Sequence, residues 1–210
     1  MKLYIVPLAP NPTKVMLYIA ERTALGADMG IEQVVVNTLK GRHKEPEHLA
    51  RNRFGTLPVL ERDDGSHLTE SRSIISYLDE RFPERRLGSD DIETRAVERD
   101  IEQVIDLRIF EPLGIYVHTV KSPVGYPPDP VKAAEIEERL PLPLDYVEEL
   151  LSDGRDFVAG DAPTLGDCTL QSVMQFVRFI EVDVIGDRPH LRTWDERYRS
   201  RAELAEVIRW

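Results

Sequence analysis

The pattern of apolar and polar positions divides the chain into a front third that mixes strands with helices and a remainder that is helical. Residues 2–6 form a short run rich in β-forming side chains, and residues 12–25 show helical spacing of their apolar positions. Residues 32–36 are β-branched and indicate a second strand. The chain is therefore predicted to begin β-α-β.

A hairpin and a second helical pattern follow a loop region. Residues 58–60 and 67–69 flank Asp63-Asp64-Gly65, a turn signal typical of a hairpin. Residues 70–82 return to helical spacing, and the proline that follows them should end that helix. The predicted order is β-α-β, a loop region and then β-β-α, which makes an α/β domain of residues 1–83.

Strand signals almost vanish after the polar stretch 84–91, which we interpret as a linker. The apolar spacing beyond it predicts an all-α domain over residues 92–210, whose helical patterns cover residues 92–120, 131–151, 165–180 and 191–208. Pro141 and Pro143 lie inside the second of these patterns and should kink or split that helix, because each removes a backbone donor.

The composition excludes several classes of function. A formal net charge of −11 opposes nonspecific binding to nucleic acid or to an anionic membrane, so we expect neither partner. The single cysteine, Cys168, excludes an intrachain disulfide and a thiolate cluster, and the histidine spacing suggests no metal site. The apolar runs are too short for a membrane span or a signal peptide, which points to the cytoplasm.

The segment Asn52-Arg53-Phe54-Gly55-Thr56-Leu57-Pro58-Val59-Leu60 resembles the N-P-x-G-x-V-P-x-L segment of the glutathione S-transferase family. In that family the proline is cis, and the residue before it offers its backbone N–H and C=O to the cysteinyl unit of glutathione. The resemblance therefore implies that Leu57 and Pro58 bind glutathione.

Thr69-Glu70-Ser71, with Ile74 and Tyr77-Leu78 after it, resembles the family signature E-S-x-x-I-x-x-Y-L. The N-terminus of a helix attracts a carboxylate through its free N–H groups and the positive end of its dipole. The resemblance implies that Ser71 binds the γ-glutamyl carboxylate and that Glu70 neutralises the γ-glutamyl ammonium. Capping of the helix by Thr69 and Ser71 is compatible with these roles.

Residues 157–167 are similar to a further family segment, in which Thr164 and Asp167 stand in a capping-box relationship that begins a buried helix. Trp194 near Arg201 resembles the closing segment of the family. Together these matches cover nearly the whole chain. They imply a thioredoxin-like N-terminal domain, a C-terminal helical bundle, glutathione as cosubstrate and a homodimer.

The residues that would activate the thiol depart from the best-known pattern, which places Tyr, Ser or Cys just after the first strand. Here Asn11 matches the asparagine of bacterial and fungal-prion-like members, where it donates a hydrogen bond to the thiolate, and Thr13 is the fallback. Asn11 as the N-cap of the first helix, with Pro12 in the first turn, is the alternative.

Two further groups of residues follow from the resemblance. The segment after the second strand is similar to that of theta-like members and implies that His43, with Lys44 beside it, binds the glycyl carboxylate. We expect the pocket for the second substrate between the domains, with Arg108 and Tyr116 among the candidates. Cys168 and the remaining histidines indicate packing or surface positions.

Three functions agree with the sequence. The first is a transferase whose bound glutathione thiolate attacks a small hydrophobic electrophile. The second is glutathione-dependent reduction of disulfides or peroxides, which asparagine-type members resemble. The third is a protein that binds glutathione without catalysis, because it lacks the usual activating hydroxyl or thiol.

Overall fold

A computed structural model describes residues 1–209, and the chain divides into two compact units between Arg86 and Leu87. This division falls inside the stretch 84–91 that the sequence predicts to be a linker. The first unit is an α/β domain and the second is all-helical, which confirms the predicted fold class. Within residues 1–209, no helix is both long enough and apolar enough to span a membrane.

The sheet of the first unit has the strand order β2-β1-β3-β4. The strand β1 (Lys2–Ile5) runs parallel to β2 (Glu32–Val35) and antiparallel to β3 (Val59–Glu61), which in turn pairs antiparallel with β4 (His67–Leu68). The predicted hairpin is therefore present, and its turn contains Gly65 at a φ of 78°, which favours glycine. This β-α-β and β-β-α arrangement is thioredoxin-like.

Three helices surround this sheet. The helix α1 (Pro10–Ala24) crosses from β1 to β2, and α3 (Ser71–Arg81) follows the hairpin and packs against α1. Between them lie a 3₁₀ turn (Arg42–Lys44) and the short α2 (Pro46–Arg51). The sequence predicted only a loop there, because six residues make too few turns to show a helical period.

The second unit begins with an interrupted helix. The helix α4 (Ile92–Ile105) leads into a π-turn (Asp106–Phe110), from which α5 (Glu111–Lys121) continues. Pro112 has no N–H to donate to the carbonyl of Arg108, so the regular ladder cannot pass this point. The N–H of Glu111 donates to the carbonyl of Asp106 instead, which gives the wider turn.

The remaining helices follow the predicted breaks. The pattern at residues 131–151 is split into two helices at Pro141, as expected for a proline inside it. The later elements are α6 (Pro130–Arg139), α7 (Pro141–Leu151), α8 (Leu165–Arg178), α9 (Pro189–Arg199) and a 3₁₀ turn (Ala202–Leu204). Every residue from Gly166 to Val177 is buried, so α8 is the central helix of this unit.

A buried carboxylate holds the start of α8 in place. Asp167 accepts from the backbone N–H of Thr164 at 2.9 Å, in the capping box that the sequence predicts. It also accepts from the N–H of Val158 and from the indole N–H of Trp194, both at 2.9 Å. Asp167 therefore joins α8 to the preceding loop and to α9. Cys168, next to it, is buried, as expected of a core residue.

Candidate active site

A cavity of about 340 Å³ in the first unit brings together three segments that are far apart in the chain. One is the start of α1, one is the loop before β3, and one is the turn from β4 into α3. The lining residues are Asn11, Phe54, Thr56, Leu57, Pro58, Thr69, Glu70 and Ser71. Five of the residues named from the sequence are thus found in one place: Asn11, Leu57, Pro58, Glu70 and Ser71.

The first turn of α3 forms one side of this cavity. Ser71 is the first residue of α3 and is 6% exposed, and Glu70 precedes it in extended conformation. No side chain caps this helix, so the N–H groups of its first turn keep their capacity to bind an acceptor. The Glu70 side chain is exposed and pairs with no group among residues 1–209. This side of the cavity therefore places uncapped backbone N–H groups next to an exposed carboxylate.

Asn11 is the second residue of α1, not its cap. The helix begins at Pro10 with Ala9 in the cap position, so the interpretation of Asn11 as N-cap is wrong. The Asn11 side chain reaches across the cavity instead, and its Oδ1 accepts a hydrogen bond from the Ser71 hydroxyl at 2.9 Å. The amide nitrogen of Asn11 donates to no group within the described residues, so a donor remains available at this wall of the cavity.

The loop before β3 carries the bond between Leu57 and Pro58, which is cis. Gly55 in this loop has a φ of 65°, and a Cβ at this position would lie 3.1 Å from the carbonyl oxygen of His43. Only glycine lets the 3₁₀ turn at residues 42–44 pack this closely against the loop. The turn is thus held next to the cavity by main-chain packing.

His43 and Lys44 belong to that 3₁₀ turn and are not part of the cavity lining. Burial lowers the pKa of His43, and the positive charge of Lys44 and the neighbouring His48 lower it further. The imidazole is therefore neutral at pH 7, and its buried Nδ1 has no hydrogen-bond partner within the described residues 1–209. Lys44 is exposed, so of the two residues it supplies the positive charge.

Two residues close to Asn11 in sequence are directed away from the cavity. Thr13 is 1% exposed and lies in the buried part of α1, so it does not reach the lining. Tyr4 is on the opposite side of β1, where it packs with Val36 and Val59 and donates to Glu61 at 2.8 Å. Tyr4 therefore supports the sheet, and Asn11 is the polar side chain that the β1–α1 junction contributes to the cavity.

The two candidates for the second substrate lie in the helical unit. Arg108 is exposed on the π-turn. Tyr116 is 3% exposed, and its hydroxyl donates to Glu137. Burial and this carboxylate raise the pKa of Tyr116 to about 12. Tyr116 therefore connects α5 to α6. Of these two candidates for the second substrate, Arg108 is the one whose side chain is exposed.

Sequence reasoning gave no role to His48, which it assigned to packing or to the surface. His48 is 2% exposed, and its Nε2 lies 3.1 Å from the carbonyl oxygen of Thr56 in the cavity loop. A buried histidine on the polar helix α2 is the signal that would have drawn attention to it, but burial there depends on the tertiary structure. Within residues 1–209, no cluster of three or more His, Cys, Asp or Glu residues could hold a metal ion.

A thioredoxin-like unit with a cis-proline loop and a helix start without a side-chain cap, followed in the chain by an all-helical unit, is typical of a class of glutathione-dependent proteins. Two family descriptions match the chain: "Glutathione S-transferase, N-terminal domain" over residues 3–86 and "Glutathione S-transferase, C-terminal domain" over residues 106–202.

Relatives match over nearly the whole length. Glutathione S-transferase F10 of Arabidopsis thaliana is 32% identical over 88% of this chain and 88% of its own. Glutathione S-transferase 2 of Saccharomyces cerevisiae is 27% identical over 99% of this chain and 89% of its own. The crystal structure of Gtt2 from Saccharomyces cerevisiae superposes with a TM-score of 0.85, at 27% identity, over 99% of this chain and 100% of that one. The chain therefore belongs to the glutathione S-transferase family and is a glutathione transferase.

Proposed function

We propose that the cavity binds glutathione and that Asn11 stabilises its thiolate for attack on a small hydrophobic electrophile. The observation that carries this proposal is the hydrogen bond between Ser71 and Asn11. It joins the residue that would bind the γ-glutamyl end to the residue that would face the sulfur. The amide nitrogen of Asn11 has no other partner among residues 1–209, so it can donate to the ligand.

Each end of glutathione has a complementary group. The γ-glutamyl carboxylate binds the free N–H groups at the start of α3, and Glu70 pairs with the γ-glutamyl ammonium. The backbone of Leu57, in the cavity wall, pairs with the cysteinyl unit. The glycyl carboxylate extends towards the 3₁₀ turn, where Lys44 supplies a positive charge and the neutral His43 a hydrogen bond.

The single proton of the Ser71 hydroxyl couples binding to activation. In the structure this proton is donated to Oδ1 of Asn11. A carboxylate is a stronger acceptor than an amide oxygen, because the hydrogen bond to it is charge-assisted. The Ser71 hydroxyl therefore turns from Asn11 to the γ-glutamyl carboxylate when glutathione binds, and the Asn11 amide is released to face the sulfur.

The chemistry then requires no further protein nucleophile. Hydrogen bonding to the charged form of the thiol favours the thiolate, which lowers the pKa of the thiol and leaves its proton to solvent. The thiolate attacks the electrophilic carbon, a carbon–sulfur bond forms, and the displaced group leaves with the electron pair.

The presence of an amide donor in place of Ser, Tyr or Cys favours reduction of disulfides or peroxides as the second candidate. Two glutathiones would then be oxidised to glutathione disulfide while the substrate takes up two electrons and two protons. The ultraviolet absorbance of the thiolate as a function of pH separates both reactions from simple binding. A depressed thiol pKa supports an enzyme, and an unchanged one supports a binding protein.

The chain is expected to be retained on immobilised glutathione, and Ser71→Ala is expected to weaken its affinity for glutathione about tenfold. The lost interaction is a hydrogen bond to a charged group, whereas the backbone N–H groups of α3 remain. Calorimetry with glutathione measures the affinity. Ser73→Ala is the matched control, because Ser73 is an exposed serine of the same helix turn. Undetectable binding by the wild type would refute the proposed function.

We further propose a homodimer, as the family membership suggests. Light scattering at micromolar concentration is expected to give about twice the 24.0 kDa mass of one chain. A mass that stays at that of one chain over a tenfold range of concentration would count against a dimer. It would leave glutathione binding unaffected, because all the residues assigned to it belong to the first unit.

A further inference from the structure

Two buried side chains converge on one carbonyl oxygen behind the cavity. Nε2 of His48 and Nδ2 of Asn52 lie 3.1 Å and 3.0 Å from the carbonyl oxygen of Thr56. Both side chains belong to residues that are 2% exposed. A carbonyl oxygen only accepts, so His48 holds its proton on Nε2 and donates it to Thr56. The carbonyl is therefore held by two donors from within the protein.

That carbonyl and the N–H of Leu57 belong to the same peptide group. In a planar trans peptide the C=O and the N–H point in opposite directions, so a carbonyl held from one side directs the N–H towards the other. Leu57 lines the cavity, and its N–H donates to no group among residues 1–209. The two donors thus leave a fixed and unpaired N–H at the cavity.

Hydrogen bonds to the carbonyl also polarise the peptide group, which makes its N–H a stronger donor. The Asn52 side chain makes two further hydrogen bonds in this loop. Its Oδ1 accepts from the N–H of Phe54 at 3.1 Å, and its Nδ2 donates to the Thr56 hydroxyl at 2.9 Å. The ring of His48 has no such second bond, since its Nδ1 is buried and has no partner among residues 1–209. The hydrogen bond to the Thr56 carbonyl is therefore the one that the His48 ring makes within the described residues.

We infer that His48 is a positioning residue for glutathione: by donating to the Thr56 carbonyl it directs the Leu57 N–H at the cysteinyl unit. This inference rests on the proposed function, which assigns that unit to the backbone of Leu57. It gives His48 a role in affinity for glutathione, and none in ionising the thiol or in contacting the electrophile.

Three variants of His48 distinguish the effect of its N–H donor from the effect of the shape of its ring. His48→Gln places an amide N–H where Nε2 lies, His48→Asn carries the same amide one bond shorter, and His48→Phe keeps a ring without a donor. Calorimetry with S-methylglutathione, which cannot ionise at sulfur, measures binding alone. We expect about fivefold weaker binding for the Phe and Asn variants and less than a twofold change for the Gln variant.

Kinetics and spectroscopy give readouts that a merely structural role would not move. The KM for glutathione should rise about fivefold in His48→Phe, while kcat and the KM for the electrophile change by less than twofold. In spectra of ¹⁵N-labelled protein, S-methylglutathione should shift the Leu57 amide resonance of the wild type, and the shift should be smaller in His48→Asn.

Several results would overturn the inference. One is equal affinity of the folded Phe variant and the wild type, and another is a loss in His48→Gln as large as that in His48→Asn. If His48→Phe does not fold, the comparison of Gln with Asn decides alone. If the wild type binds glutathione and all three variants bind with the same affinity, only the role of His48 is refuted. Wild-type protein that does not bind refutes the proposed function, and the inference with it.

Discussion

Replacing Asn11 by alanine is expected to raise the pKa of the bound glutathione thiol by about one to two units. A hydrogen bond to a charged acceptor contributes about 1.5–3 kcal/mol, and one pKa unit corresponds to about 1.4 kcal/mol. The donor favours the thiolate over the thiol, so its removal reduces ionisation about 10- to 100-fold. Ultraviolet absorbance of the thiolate, recorded against pH on the saturated protein, measures the change.

Turnover should fall less than ionisation does. A thiol of higher pKa is intrinsically more nucleophilic, which offsets about half of the loss. We therefore expect turnover of a model electrophile below neutral pH to decrease about 3- to 10-fold in Asn11→Ala, with a much smaller change in the affinity for S-methylglutathione.

The variant Asn11→Asp tests the sign of the interaction. A carboxylate has nearly the same shape as the amide, but it repels a thiolate and can accept from Ser71 more strongly. It should raise the thiol pKa at least as much as alanine does. Full activity in Asn11→Asp would remove Asn11 from the mechanism and direct attention to a backbone N–H at the start of α1. The stability of the alanine variant should stay near that of the wild type, because Ala9 occupies the cap.

Replacing Asp167 by asparagine is expected to lower the free energy of unfolding by about 3 kcal/mol. Oδ1 of Asp167 accepts from Val158 and Trp194, and Oδ2 accepts from the N–H and the hydroxyl of Thr164. An amide nitrogen in place of Oδ1 would face two N–H donors, and one in place of Oδ2 would face the N–H of Thr164, in each case in a buried site. Each unsatisfied buried group costs about 1–3 kcal/mol. Denaturant titration measures the loss, and Asp161→Asn, at an exposed carboxylate six residues earlier, is the matched control.

The effect of Asp167 on stability should also depend on pH. Burial raises the pKa of Asp167 to about 6, against the four hydrogen bonds that favour its charged form. Between pH 4 and pH 6 the folded chain therefore holds a proton that the unfolded chain releases. The free energy of unfolding accordingly falls as the pH rises through that window. The difference in unfolding free energy between wild type and Asp167→Asn should narrow from pH 4 to pH 6. A difference that widens over this range would show that the hydrogen bonds outweigh burial.

Local signals in the sequence determined the elements of both units. The strand-like runs on both sides of Asp63-Asp64-Gly65 predict a hairpin, because these three residues favour a turn and the flanking residues favour strands. Pro141 splits the pattern at residues 131–151 because it has no backbone N–H to donate and its ring clashes with the preceding turn of a continuing helix. The short α2 escaped prediction, since its six residues make too few turns to show a helical period.

Three short segments that resemble one family supply five of the predicted site residues, and these five line one cavity. Five others do not line it, among them Thr13, which is buried within α1, and Tyr116, whose hydroxyl donates to Glu137. Both depart from the expectation for the same reason. A position in the chain gives the side chain's chemistry, but its direction follows from which face of the helix packs against the core.

What the sequence alone determined is therefore the order of elements, the family and the groups available for binding. Only the tertiary structure decided how these groups are used. It brings Ser71 to Asn11 across 60 positions of the chain, and it directs His48 and Asn52 at one carbonyl. The reason is physical: a hydrogen bond requires its atoms within about 3 Å, and contact between distant segments is set by the packing of α1, α2 and α3 on the sheet.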